Sequence, residues 1–235
     1  MKHICLSRIA CGQDSIICKK FCFALSIDLR VIRLTVEEEL SGIPTFPEEL
    51  GLNLTVPEDR FKWFLASILY AKRISHVIAK KTFHRFEEEG LVTPEKILEA
   101  GWNRLVEVLD SGGYVRYDFS TASNLLEIMK TLKEKHGDLE RLHNESISPD
   151  DLEKRLLEFK GVGPVCVNIF LRELRGIWDK ADPKPSNIAV KTAQRLGVTD
   201  VKKFESTLVR LNLEYCKKKR CKECPVREFC LKPKV

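Results

Sequence analysis

The sequence predicts an all-α protein, and three observations lead to this fold class. From Pro57 onward, apolar residues recur every three or four positions, as on the buried face of an amphipathic helix. Capping residues and prolines stand where these segments begin, and glycines stand where they end. We find no convincing strand pattern after residue 57 and no fixed-period repeat. The 235 residues suffice for one large or two small domains with a hydrophobic core.

The first predicted helices follow one another closely. The segment PEDRFKWFLASILYAKRI places one apolar stripe on a helix that begins at Pro57. The next segment, SHVIAKKTFHRFEEEG, ends at Gly90. Thr93 and Pro94 then open a short helix, because threonine caps helix starts and proline suits the first turn. Trp102–Leu109 forms another helix, which a pair of glycines closes.

Two further helices lead to the middle of the chain. Ser120–Gly137 is a long amphipathic segment that ends in a glycine. The run Ser148-Pro149-Asp150-Asp151 is typical of a capping box, so it predicts a helix over Leu152–Phe159. The three prolines Pro44, Pro47 and Pro57 indicate a loop-rich connector before the helical part.

Composition and charge restrict the class of protein. Apolar residues make up 43% of the chain and charged residues 31%, which is ordinary for a globular protein. No apolar run is long enough to span a bilayer, and the N-terminus lacks the pattern of a signal peptide. We therefore expect no membrane partner. The formal charge is +6, and residues 216–235, with eight Lys or Arg and two Glu, carry an equal excess. Such a basic tail suits a phosphate-bearing surface.

Four cysteines near the C-terminus form a candidate metal centre: Cys216, Cys221, Cys224 and Cys230. Their spacing, C-x4-C-x2-C-x5-C, allows four thiolates to converge on one centre, either a tetrahedral zinc or a [4Fe–4S] cluster. The spacing alone does not distinguish these two. The alternatives to a metal centre are unrelated thiols or disulfides, and disulfides are rare in chains without signs of export.

Four other cysteines lie near the N-terminus and show no recognisable ligand spacing: Cys5, Cys11, Cys18 and Cys22. A second metal site, buried thiols and an extension outside the core domain all remain open for this segment.

The segment Leu156–Leu174 contains the pattern most suggestive of function. A helix ends near Lys160, the residues Gly161-Val162-Gly163 form a tight turn, and Pro164 opens the next helix. Free amides at a helix start bind phosphate oxygens. We therefore expect Lys160 and the turn residues to contact a nucleic-acid backbone, with Val162 packed between the helices.

Residues from about Pro57 to Cys230 resemble the endonuclease III family of helix-hairpin-helix DNA glycosylases. The resemblance is carried, in order, by FLASILYAKR, GGYVRY, the GVG hairpin, KTAQRLGV and the four C-terminal cysteines. It implies a bilobal all-α fold with a cleft for a flipped nucleotide, a [4Fe–4S] cluster rather than zinc, and double-stranded DNA with a lesion or mismatch as the partner. The first fifty or so residues lie mostly outside it.

The chain departs from the family at both catalytic positions. The lysine of the bifunctional members, which attacks the sugar, is replaced here by Val165, so the resemblance implies no lyase step from this position. The catalytic aspartate aligns with Ser186. Asp182 lies one helical turn earlier, and if a helix began at Pro183 it would cap that helix and supply the carboxylate. Asp182 is our catalytic candidate and Ser186 the alternative.

Other DNA contacts are also implied by the resemblance. Lys72 stands near the position at which relatives insert a polar side chain into the gap left by a flipped base. Tyr114 and Tyr117 are candidates to line the base pocket, with Arg116 between them as a DNA contact. Each of these residues could also be an ordinary surface or packing residue.

The sequence thus predicts three parts: an N-terminal extension over 1–48, a helical bundle over 66–175 that contains the hairpin, and a second lobe formed by 49–65 and 176–235. The expected function is that of a monofunctional DNA glycosylase, a hydrolase that leaves an abasic site in base excision repair. The alternatives are a DNA-binding protein of the same fold without catalysis and a zinc-bearing nucleic-acid module. We expect a monomer that is cytoplasmic, with the nucleoid DNA, if the source is prokaryotic.

Overall fold

The computed structural model describes residues 35–231, and over this range the secondary structure is helical. The predicted all-α class is confirmed: the described residues contain no strand, only an isolated bridge between Arg175 and Trp178. The helices are α1 (Val36–Ser41), α2 (Phe46–Glu49), α3 (Pro57–Tyr70), α4 (His76–Glu88), α5 (Pro94–Gly112), α6 (Asp118–Thr131), α7 (Leu139–Glu145), α8 (Pro149–Leu157), α9 (Pro164–Arg172), α10 (Asn187–Leu196) and α11 (Glu205–Leu211).

Local signals in the sequence account for most helix starts and ends. The side chains of Thr93 and Ser148 accept hydrogen bonds from backbone amides three residues later, as predicted for N-caps. Helix α5 is interrupted at Gly101, whose φ of 71° and ψ of 175° are not helical, so it consists of the two shorter helices that the sequence predicts. Gly113 closes it in the left-handed region.

Two helices end in a wider turn. Helix α6 continues as a π-helical turn over Leu132–His136, which completes the long segment predicted from the sequence. Helix α11 continues in the same way over Asn212–Cys216. This second turn leads the chain from the helical core directly into the loop that carries the four C-terminal cysteines.

The core joins helices that are distant in sequence. Helix α5 packs along α4 and α6, α3 packs on α4 and α9, and α10 packs on α11. Trp63 of α3 is fully buried, and its indole N–H donates to the carbonyl of Phe170 in α9 at 3.2 Å. Burial of a large apolar side chain contributes about 1.5–3 kcal/mol to stability. These contacts hold α9, and therefore the turn before it, against helix α3 in the core.

The segment before Pro57 also belongs to this core. Leu40 of α1 and Phe46 of α2 are buried, and the residues from Val36 onward form one compact unit. Thr45 and Glu48 form a reciprocal capping box that starts α2. Two short helices therefore lie within the segment 36–49 and contribute buried residues to the core, although the sequence placed residues up to 48 in an extension. The four N-terminal cysteines lie outside the described residues, and the predicted two-lobe division stays a prediction.

Candidate nucleic-acid interface

A cavity of about 810 Å³ lies among α2, α3, α9 and α11. Its apolar lining combines aromatic residues, the buried Phe46 and Trp63 and the partly buried Tyr70, with aliphatic residues such as Ile169 and Val209. Its exposed lining is cationic, and Lys72 and Arg73 contribute to it from the turn between α3 and α4. Lys217 and Lys218 complete it from the loop that follows α11. A volume of this size is within the range of small-molecule sites, and its mixture of aromatic faces and cations suits a base attached to a phosphate.

Titratable groups at the cavity are held in their neutral or paired forms. Burial and the neighbouring Lys218 lower the pKa of His76, so the imidazole is neutral at pH 7. Burial, with a smaller effect of Glu49, raises the pKa of the Tyr70 phenol, which stays protonated. Burial opposes ionisation of Glu49 itself, but a hydrogen bond from Lys80 and the charge of Arg210 outweigh burial and lower its pKa.

The glycine-rich turn between α8 and α9 has the local geometry expected from the sequence. Gly161 lies in the left-handed region at φ +82°, and a Cβ there would be 2.7 Å from the side-chain Cγ of Asn124. Glycine is therefore required at this position both by the backbone and by the close approach of α6. Val162 is buried between the helices, as predicted, and Lys160 is exposed.

The start of α9 presents backbone amides without a side-chain cap. Gly163 is the N-cap and Pro164 the first helical residue, and no side chain of the turn bonds to the first amides. By contrast, serine side chains cap α8 and α10. Val165 lies in this first turn with 62% of its surface exposed. The turn can accept an anion at its amides, whereas Val165 offers no nucleophile there.

The structure corrects the predicted start of α10. The helix begins at Asn187, and Ser186 is its N-cap, accepting from the amide of Ala189. Asp182 is therefore not a helix cap. The reason is Pro185, because a residue that precedes proline is disfavoured in helical conformation, so Lys184 cannot continue a helix from Pro183.

Asp182 is instead held by two cations. Its Oδ2 atom lies 2.7 Å from Lys202 Nζ, and its Oδ1 atom lies 3.6 Å from Arg175 Nε. The side chain is about half exposed. The carboxylate is thus accessible to solvent, but it already has two cationic neighbours. Asp182 does not line the 810 Å³ cavity.

Sequence reasoning missed a second carboxylate beside Ser186. Glu205 is buried, and its Oε1 accepts from the backbone amide of Ser186 at 2.8 Å and from Asn168 at 3.2 Å. Its Oε2 lies 2.8 Å from Arg175 Nη2. Glu205 therefore ties together α9, the start of α10 and α11. A buried charged residue at the start of a short helix carries no local signal, because its partners are 19 to 37 residues away.

The two tyrosines predicted to line a base pocket have different environments in the structure. Tyr114 is fully buried, and its hydroxyl donates to the carbonyl of Leu69 at 2.7 Å. Tyr114 is thus a core residue, which corrects its expected place in an open pocket. Tyr117 is partly exposed, with the Arg116 guanidinium 5.4 Å from its ring centre, and neither lines the cavity. Of the predicted DNA contacts, Lys72 alone lines the cavity.

The four C-terminal cysteines are free thiols that lie within electrostatic reach of one another. Burial raises the pKa of Cys224, and the charges of Cys216, Cys230 and Cys221 raise it further. Burial likewise raises the pKa of Cys216, which also receives a hydrogen bond from Arg195. A set of four neighbouring thiols is the donor set that zinc and iron–sulfur clusters use. Between residues 35 and 231, however, no three His, Cys, Asp or Glu side chains stand close enough together to hold a metal ion as they are placed.

No helix in the described part of the chain is long and apolar enough to cross a membrane. In comparisons with known proteins, no protein-family model matches this chain and no curated protein is significantly similar to it.

Proposed function

We propose that the protein is a DNA glycosylase that hydrolyses the N-glycosidic bond of a damaged or mismatched base. The observation that supports this best is the cavity, which combines an apolar wall that contains three aromatic residues with a cationic lining at its opening. Enzymes that act on a base rotate it out of the duplex into a pocket and stack it on aromatic or apolar side chains. Cations at the opening of such a pocket would attract the phosphates on either side of the rotated nucleotide.

The turn before α9 supports a second contact with the DNA backbone. Its amides have no side-chain cap, Lys160 is exposed beside it, and the Asn124 side chain of α6 lies close to Gly161. A rigid turn with free amides positions a duplex through its phosphates without reading its sequence. Binding through this turn and through the cationic lining of the cavity would weaken steeply as salt increases.

The proposed reaction is hydrolysis without a covalent enzyme intermediate. The bond between the sugar C1′ and the base nitrogen breaks, water adds to C1′, and the base leaves with a proton. Val165 cannot form a Schiff base, so strand cleavage by this route is not part of the proposal. Asp182 is the candidate that stabilises the positive charge on the sugar or activates the water, and Ser186 is the alternative that orients the water; both lie outside the lining of the cavity that would hold the base.

The proposed cofactor is a [4Fe–4S] cluster held by Cys216, Cys221, Cys224 and Cys230, with zinc as the alternative. The role of such a centre here is structural: it would fix the loop on which Lys217 and Lys218 stand beside the cavity. Absorbance in the visible range would distinguish the cluster from zinc, since zinc proteins are colourless.

One observation favours the alternative of a DNA-binding protein without catalysis. Asp182 is paired with Lys202 and lies near Arg175, the Ser186 hydroxyl caps a helix, and Val165 replaces the lyase lysine. Asp182 and Ser186 therefore have structural roles without catalysis, and the exposed Val165 offers no nucleophile. In that case the protein would bind altered DNA and leave its glycosidic bonds intact.

The experiment that tests the proposal is a glycosylase screen. The purified protein is incubated with duplexes that contain uracil, thymine mismatches, oxidised purines or alkylated bases, and the DNA is then treated with hot alkali. We expect strand breaks on at least one duplex, and only after alkali. Asp182→Asn should reduce that rate by about 10²-fold or more, while Lys130→Gln, at an exposed lysine on α6, should not. Tight binding without breaks on any duplex would establish the alternative.

A further inference from the structure

The lining of the cavity has one sign of charge. Lys72, Arg73, Lys217 and Lys218 all contribute to it, and no aspartate or glutamate does. Within residues 35–231, none of these four side chains forms an ion pair with a carboxylate. A fifth lining cation, Arg172, is the exception, because its Nε donates to Glu173 at 3.0 Å.

Glu49 and Glu214, the two carboxylates that act on the lining residue His76, are already compensated. Glu49 pairs with Lys80 at 2.8 Å and with Arg210 at 3.1 Å. Glu214 accepts from Arg210 at 2.9 Å, and its distance to His76 is 4.0 Å. Neither carboxylate is left to balance a positive charge placed inside the cavity, and the neutral His76 cannot do so.

The aromatic wall is also partly occupied by cations of the protein. Aromatic faces attract positive charge, so an aromatic pocket alone would favour a cationic ligand. Here, however, the guanidinium groups of Arg172 and Arg210 lie 5.6 and 5.9 Å from the centre of the Phe46 ring. The attraction that Phe46 offers is therefore already used by the two arginines.

We infer that the cavity accepts a nucleobase that is neutral or acidic and rejects a base with a fixed positive charge, such as a ring-N-alkylated purine. This inference rests on the proposed function for its ligand class, a nucleotide. A cationic base would enter a partly dehydrated space lined by like charges, where repulsion is weakly screened. Oxidised, deaminated and mismatched bases carry no such charge.

Two isomeric nucleotides test this inference directly. At pH 7, 1-methyl-dAMP carries a positive charge on its base, whereas N6-methyl-dAMP has the same atoms and phosphate but a neutral base. We expect calorimetric titration of the full chain to show that N6-methyl-dAMP binds at least about tenfold more tightly, a difference of about 1.4 kcal/mol. The double variant Lys72→Gln, Lys218→Gln should reduce that ratio, and the control Lys130→Gln should not.

The outcomes separate this inference from the proposed function. Equal binding of the isomers, tighter binding of 1-methyl-dAMP or no binding of either would overturn the inference. If the glycosylase screen nevertheless gives alkali-dependent breaks, the proposed function stands. The protein then selects between cationic and neutral bases at a place other than this cavity. If N6-methyl-dAMP is preferred but no duplex is cleaved, the inference stands and the glycosylase proposal fails.

Discussion

Replacing Gly161 by alanine tests whether the turn before α9 depends on its geometry. An alanine at φ +82° would lie in the left-handed region, which costs about 1–2 kcal/mol for a residue with a Cβ. The new Cβ would also overlap the Asn124 side chain, 2.7 Å from its Cγ, so α6 or the turn must shift. The two effects add, and we expect a loss of at least about 2 kcal/mol of unfolding free energy. For a chain of this size that lowers the melting temperature by about 4–8 °C.

Gly163 provides the matched control within the same turn. Its φ is −116°, which any residue adopts, and a Cβ there would meet no atom within 4 Å. Gly163 is the N-cap of α9, where alanine is less favourable than glycine, so Gly163→Ala should cost no more than about 1 kcal/mol, less than Gly161→Ala. Thermal unfolding of the two variants, followed by circular dichroism, gives the comparison. Equal melting temperatures for Gly161→Ala and Gly163→Ala would refute the reasoning.

A second substitution separates the two contributions to the loss of unfolding free energy, the backbone strain at Gly161 and the overlap with Asn124. Asn124→Ala removes the amide group that the new Cβ would meet, but leaves the Asn124 Cβ, which is 3.3 Å away. In this background Gly161→Ala should cost less than in the wild type, with the backbone strain of about 1–2 kcal/mol remaining. The same cost in both backgrounds would show that the contact with α6 does not limit the turn.

Four further predictions concern the metal centre, the cationic lining and two carboxylates. Cys224→Ser should abolish visible absorbance and lower the melting temperature, whereas Cys166→Ala, at a cysteine outside the set, should keep the colour; unchanged absorbance in Cys224→Ser would contradict the ligand assignment. Lys217→Gln should reduce the slope of log K against log salt for duplex binding by about 0.9 if one phosphate contact is lost, and an unchanged slope would remove it from the interface. Glu205→Ala should destabilise the fold by about 3 kcal/mol in urea, because it removes the buried carboxylate partner of Arg175 and leaves only the half-exposed Asp182, 3.6 Å away, and Glu205→Gln by less; equal midpoints would show that the charge is unimportant. The lowered pKa of Glu49 gives stability that is present above pH 4.5 and is lost as pH falls through its pKa in the folded protein. Glu49→Gln should therefore flatten the decline of the melting temperature as pH falls below 4.5, and parallel curves would count against this.

The sequence predicts those parts of the fold that depend on neighbouring residues. Thr93 and Ser148 start helices because their caps bond to amides three residues away, and the glycine turn at 161–163 is equally local. The predicted start of α10 at Pro183 was wrong, because an aspartate before a proline, here Asp182, is a common pattern at helix starts. The effect of Pro185 on Lys184 excludes that start, and it is also readable from the sequence.

The candidate site was predicted only in part, since its residues come from distant parts of the chain. Lys72 was identified by resemblance, but Phe46 lies in a segment that we assigned to an extension, and Lys217 lies among the cysteines. Tyr114 shows the opposite error. Nothing in GGYVRY distinguishes a tyrosine that stacks on a base from one whose hydroxyl bonds to Leu69 in the core. Side-chain direction depends on tertiary packing, which one sequence does not display.

The cavity described above also has a consequence for biosynthesis. Its walls extend from Phe46 to Lys218, and Arg210 joins the two regions by donating to the carbonyl of Pro44, 166 residues earlier. Because a chain emerges from the ribosome N-terminus first, the aromatic wall is made long before the lysines that complete the opening. A nascent chain interrupted before residue 218 therefore has no complete cavity. Translation must pass that point before the two lysines can join the cationic lining, so shorter termination products would lack this part of it.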